Sequence, residues 1–146
     1  MNDYKKILVA VELNPAEDKL TIAKAKKLAQ DNNAQVCLIH AVEHINTYGT
    51  ASAYPAIANV EEQISDEHQS QLNALAKELN VTEDNTYIEI GPPAVIVSDK
   101  AKELGSDLIV VGSHSRHGLA LLLGSTADSI LHKADCDILV VRLPNK

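Results

Sequence analysis

Residues 107–126 read DLIVVGSHSRHGLALLLGST, and their reading decides the fold. The stretch opens on an unbroken run of Leu, Ile and Val that stops at Gly112, and it closes with Gly124, Ser125 and Thr126 just before a helical pattern, Ser125–Lys133. A short strand that is apolar at every position is covered on both faces, which is the habit of a parallel sheet lying between layers of helices. The same kind of run recurs at residues 6–12 (KILVAVE), Gln35–Val42 (QVCLIHAV) and Asp137–Leu143 (DILVVRL). A fifth, Thr86–Ile90 (TYIEI), alternates apolar and polar residues and is expected at a sheet edge.

Between these runs the hydrophobic period lengthens. Pro15–Asn32 is expected to be a helix, capped by Asn14 with Pro15 at its first position and Leu20, Ala23, Lys24, Lys27 and Leu28 on its repeat. Val60, Ile64, His68, Leu72, Leu75, Ala76 and Leu79 predict a long helix over 59–79, and 94–104 and Ser125–Lys133 supply two more. Strands alternating with helices predict an α/β fold: a single doubly wound, five-stranded parallel sheet in the order 3-2-1-4-5, with helices on both faces. The winding of such a sheet reverses between the first and fourth strands, and ligands bind in the crevice at that reversal, here between the loops that start at Glu12 and Gly112. Residues 44–58 (HINTYGTASAYPAIA) fit no element and are expected to be a long loop, either a lid or a surface excursion.

Composition narrows the function. The 146 residues suit one domain, residues 1–146, and the 45% hydrophobic content contains no Phe or Trp, so the core must be aliphatic. A formal charge of -7 argues against nucleic acid and anionic membranes as partners, and Lys24, Lys26 and Lys27 are expected to solvate the outer face of a helix. Cys37 and Cys136 lie in apolar strand patterns and are expected to be reduced packing residues, and His40 and His132, within apolar strand or helix patterns, are expected to be structural. With no run of about 18 apolar residues and no signal-like start, the chain is expected to be cytoplasmic. His114 and His117 stand three apart without a Cys, Asp or Glu to complete a site, so no metal is expected on them.

Backbone amides at the start of the helix entered at Ser125, two hydroxyls and Arg116, the one obvious cation nearby, can together hold a phosphate. The same residues can equally serve as plain turn and cap chemistry. The opening KILVAVE, then LIHAVE, SDLIVVGSHSRHG, LLLGSTADSIL and the closing CDILVVRLP together resemble the universal stress protein family over the whole chain. That resemblance implies an adenine nucleotide alpha hydrolase-like fold and a stress-response protein that binds ATP or AMP, with Mg2+ where the acidic residue closing the first strand takes part.

In the family's nucleotide-binding branch the fourth-strand loop reads Gly-x2-Gly-x9-Gly-Ser/Thr. Gly112 matches the first glycine, and Gly124 with Ser125 matches the last pair. Ser115 stands at the second glycine, with eight residues and not nine between it and Gly124, and Val111, His114, Arg116, Gly118 and Thr126 fall at pocket positions of the same loop. Glu12, with Ala10 before it, takes the place of the acidic residue facing the ribose or a bound metal. Ala41 matches the position whose backbone reads the adenine edge, and Gly91 and Pro93 match the turn flanking the base.

Two readings of function stay open. In the first the protein is a nucleotide-binding regulatory homodimer, joined through the C-terminal strand Asp137–Leu143, with no catalytic set and at most very slow ATP hydrolysis. In the second, which Ser115 and the shortened spacing favour, it is a nucleotide-free universal stress protein serving as an interaction scaffold. A flavin carrier on a related core is disfavoured because only four tyrosines are available to stack on an isoalloxazine.

Overall fold

The computed structural model describes residues 4–43, 54–114 and 125–144. In chain order they form β1 (Lys6–Ala10), α1 (Pro15–Asn32), β2 (Gln35–Val42), α2 (Tyr54–Glu78), β3 (Thr86–Ile90), α3 (Pro93–Leu104), β4 (Leu108–His114), α4 (Ser125–Lys133) and β5 (Asp137–Leu143). All neighbouring strands run parallel in the order β3-β2-β1-β4-β5, as expected, with β3 and β5 at the edges.

The period of two along each strand sends alternate residues to opposite layers. Ile7, Val9, Leu38, Leu108 and Val110 pack beneath α1 and α2 with Ile22, Ala25, Leu72 and Ala76. Leu8, Cys37, Ile39, Ile109 and Val111 pack beneath α3 and α4 with Val97, Ala101 and Ile130. Ile7, Leu8, Leu38, Ile39 and Ile109 have no exposed surface, and each contributes on the order of 2 kcal/mol of burial. This aliphatic sandwich holds the strand ends rigid where they meet the loops.

Local signals start and stop the helices. The Asn14 side chain accepts from the Ala16 amide at 3.1 Å, Pro15 opens α1, and Asn33 closes it in the left-handed conformation, its own amide reaching back to Ala29 and Gln30. Gly105 closes α3 the same way at φ 68. Lys24, Lys26 and Lys27 lie on the exposed side of α1, as expected. Cys37 is buried and Cys136 half-buried, both as free thiols whose pKa burial raises.

Several expectations are corrected. The buried face of α1 is Asp18, Thr21, Ile22, Ala25 and Ala29, whereas Leu20 is 42% exposed. Alanines and lysines surround this helix, so its own pattern is too weak to choose the inward face; the sheet chooses it. Helix α2 starts at Tyr54, which takes 54–58 out of the expected loop. Pro55 falls in its first turn, where a missing N–H costs nothing. The rest of that loop lies outside the described residues. Strand β1 ends at Ala10 and not at 12, while β4 runs on past Gly112 because Ser113 and His114 pair with Arg142 and Leu143 of β5. His132 lies on the outside of α4 with its side chain 72% exposed, 3.5 Å from Asp128. Among the described residues no helix is long and apolar enough to cross a membrane.

Candidate functional site

The carboxyl ends of β1 and β4 lie side by side, with Ala10 paired to Val111, while Ala10 also pairs with Ile39 on β2. Pleating turns Ala10 and Val111 to the α3/α4 layer, where both pack against its core. Ala41, two residues beyond Ile39, keeps the same side of β2 and is half-buried. Ala10 and Ala41, on neighbouring strands, present small side chains on this side of the sheet. Helix α3 begins at Pro93 and α4 at Ser125, followed by half-buried Thr126 and buried Ala127. Ala10, Ala41, Val111, Pro93, Ser125 and Thr126 are thus gathered at one end of one layer, where amide-rich helix starts face the reversal point of the sheet.

Gly91 bounds this end. Its φ of 152° is one that a side chain rarely permits, and its amide donates to the Val42 carbonyl at 2.8 Å, which turns the chain sharply from β3 into the Pro92–Pro93 entry of α3. An added Cβ would also come within 3.2 Å of Ile96 Cδ1.

Gly112, expected to start the loop that leaves β4, lies within the strand. It continues β4 opposite Val141, and a Cβ there would lie 2.8 Å from both Thr21 Oγ1 and Leu143 Cδ1. The missing side chain therefore admits α1 and β5, on the face away from Ala10 and Val111. Ser113, buried on the α3/α4 side, is the polar residue of this strand end that the sequence reading passed over. His114 is the last residue of β4. Ser115, Arg116, Gly118 and Gly124 lie outside the described residues.

Among the described residues the exit of β1 is the most polar part of the site. Glu12 is exposed, one residue past Val11, whose amide still donates to the Ile39 carbonyl at 2.9 Å. Asp18 of α1, 5% exposed, accepts from the Glu12 amide at 2.9 Å and from the Asn14 amide at 3.1 Å, bracketing Leu13 in a left-handed conformation at φ 61. Burial raises its pKa, opposed by the amides of Glu12, Asn14 and Leu13 that stabilise the carboxylate. From the other side, buried His40 of β2 meets the Val11 carbonyl through Nδ1 at 2.7 Å and His68 Nδ1 of α2 through Nε2 at 3.1 Å. A carbonyl can only accept, so His40 Nδ1 carries the proton. His68 is held below the ordinary histidine pKa by desolvation and then by His40, with Glu67 opposing.

Asp18 escaped the sequence reading because an acidic residue in a first helical turn is ordinarily solvent-facing. The available signal was the spacing 18, 22, 25, 29, which places it on the inward stripe with Ile22, Ala25 and Ala29. No three His, Cys, Asp or Glu among the described residues are grouped to hold a metal. Among the described residues, cavities of about 800 and 400 Å³ lie along α1 on the opposite layer and share Ile22, Lys26 and Leu79 in their walls.

The family model for the universal stress protein family matches residues 3–142. Universal stress protein A homolog 2 of Coxiella burnetii is 46% identical over 143 residues, 98% of each chain. Universal stress protein UspA from Lactobacillus plantarum superimposes with a TM-score of 0.77 at 23% identity, covering 95% of this chain and 98% of that one. A universal stress protein solved in complex with cAMP superimposes with a TM-score of 0.61 at 22% identity, covering 97% and 98%.

Proposed function

This chain belongs to the universal stress protein family, and from that premise we propose that it binds an adenine nucleotide, ATP or AMP, as a regulatory protein of the stress response. The observation that carries the proposal is the gathering of Ala10, Ala41 and Val111 beneath the starts of α3 and α4, at the one place where the parallel sheet reverses its winding. Ala10, Val111 and the Ala41 backbone receive the base, flanked by Gly91 and Pro93. Glu12 faces the ribose hydroxyls. The amides and hydroxyls of Ser125 and Thr126, with Gly112, His114, Ser115, Arg116, Gly118 and Gly124, take the phosphates. A fold relative that was crystallised with cAMP supports an adenine ligand in this fold. Mg2+, where present, enters with the nucleotide's phosphates and reaches the Glu12 carboxylate through water, as suits a cation that keeps its waters.

In this reading residues 1–146 work as one domain, and its activity is binding and response rather than turnover. Strand β5 is an edge whose Ile138, Leu139 and Val140 stay only half-buried, which supports pairing of two copies through Asp137–Leu143. Free Cys37 and Cys136 suit a reducing compartment such as the cytoplasm.

Calorimetric titration with ATP, ADP, AMP and cAMP tests the nucleotide claim: heat with ATP or AMP is expected, and none at millimolar ligand refutes it. Light scattering tests the dimer, and a monomer at micromolar concentration counts against it. The packing of Gly112 against Thr21 and Leu143 favours a second reading, because that glycine is explained without a ligand. The protein would then be a nucleotide-free interaction scaffold. Ser115→Gly separates the two: affinity that arises only in the variant assigns the scaffold role to the natural chain.

A further inference from the structure

A single peptide unit, the one joining Val11 to Glu12, has both of its polar groups taken by side chains. Its N–H donates to Asp18 Oδ1 at 2.9 Å, and its C=O accepts from His40 Nδ1 at 2.7 Å. These side chains come from different elements, α1 and β2, and His40 Nε2 passes the contact on to His68 of α2 at 3.1 Å. We propose that Asp18, His40 and His68 form a positioning chain that fixes the Val11–Glu12 peptide plane, aims the Glu12 carboxylate at the ribose hydroxyls, and so sets nucleotide affinity from the α1/α2 layer. The proposal rests on the nucleotide reading given above.

Beyond Ala10 the chain leaves the β-ladder, and a peptide at such a point is free to rotate about its flanking ψ and φ angles. Rotation would swing the Glu12 side chain away, and here it must break a carboxylate–amide bond and an imidazole–carbonyl bond together. The second Asp18 oxygen, bound to the Asn14 amide, holds the left-handed Leu13 between the two contacts, so the whole turn is organised around one buried carboxylate. His40 directly precedes Ala41, so it ties the ribose wall to the adenine wall of the same crevice. None of the three side chains touches the ligand in this arrangement. They are positioning residues.

Two readouts separate positioning from plain stability. Hydrogen exchange of the Glu12 amide in the nucleotide-free protein reports the clamp itself, and Asp18→Asn is expected to speed it, because an amide side chain can satisfy one backbone donor but opposes the second. Calorimetry with ATP and with 2′,3′-dideoxy-ATP reports the consequence. Asp18→Asn and His40→Ala are expected to weaken ATP about tenfold, which is about 1.4 kcal/mol, and to leave the dideoxy analogue, with no hydroxyls for Glu12, nearly unchanged. His40→Asn, whose Nδ2 falls near the position of Nδ1, is expected to recover most of the loss seen in His40→Ala. Equal losses for both nucleotides, or no recovery in His40→Asn, overturn the proposal. If the intact protein takes up no nucleotide, the reading of the site fails, and exchange alone judges the clamp: a faster Glu12 amide in the variants upholds it and an unchanged rate overturns it. Should Asp18→Asn not fold, the His40 pair carries the same comparison.

Discussion

Strands β1 and β4 end beside each other, yet their ends are held by opposite means. The exit of β1 is organised by what side chains add: two oxygens of Asp18 and one ring nitrogen of His40 occupy its backbone groups. The stretch of β4 around Gly112 is organised by what is missing, because the absent Cβ is what lets Thr21 of α1 and Leu143 of β5 close in. Hydrogen bonds fail in increments as partners are removed, whereas a steric fit fails abruptly when one carbon is inserted. The β1 end is thus the adjustable side of the proposed crevice and the β4 end the fixed side.

The largest effect is expected at the fixed side. Gly112→Ala places a methyl 2.8 Å from a stiff Thr21 side chain and from Leu143, and should cost about 3 kcal/mol, a fall in Tm of roughly 6–12 °C in thermal unfolding. Adding Thr21→Ala should return part of that loss in a double-mutant cycle; a neutral Gly112→Ala would break the comparison. Asp18→Ala at the adjustable side should cost less, about 2 kcal/mol by chemical denaturation, because it strands the Glu12 and Asn14 amides near solvent without inserting volume.

The smallest effect concerns His68. Its pKa is lowered in the fold from 6.5, so the unfolded chain binds the proton more readily. Stability contributed by the neutral ring is full above the unfolded pKa and declines as pH falls through 6.5 toward the folded value. Denaturation between pH 8 and about 5 should show that decline in the natural protein and a shallower one in His68→Gln. A slope that His68→Gln leaves unchanged would place the acid sensitivity elsewhere.

Much of this architecture was legible beforehand. Gln35–Val42, Thr86–Ile90 and Asp137–Leu143 match their expected bounds because a continuous or alternating apolar run is a local property, and Pro15–Asn32 matches because its cap and its proline are. The inward face of α1 was not legible, since helix periodicity in a lysine- and alanine-rich segment carries little contrast. Ala10, Ala41 and Val111, which line the proposed crevice, were reached through resemblance; nothing about an alanine in a strand announces a pocket. What the structure shows of Asp18 and Gly112 was not legible in the sequence: Asp18 bonds the amides of the turn between β1 and α1, a contact set by how that turn folds, and Gly112 meets residues far along the chain in α1 and β5.

By itself, then, the sequence determined the elements, their alternation and the parallel order 3-2-1-4-5, because short-range periodicity and the right-handedness of crossovers leave few other arrangements. Only the tertiary structure decided that Gly112 serves packing between α1 and β5, that Asp18 faces inward, and that His40 closes on the Val11 carbonyl. These are contacts between segments that only the closed sheet brings within hydrogen-bond or van der Waals reach.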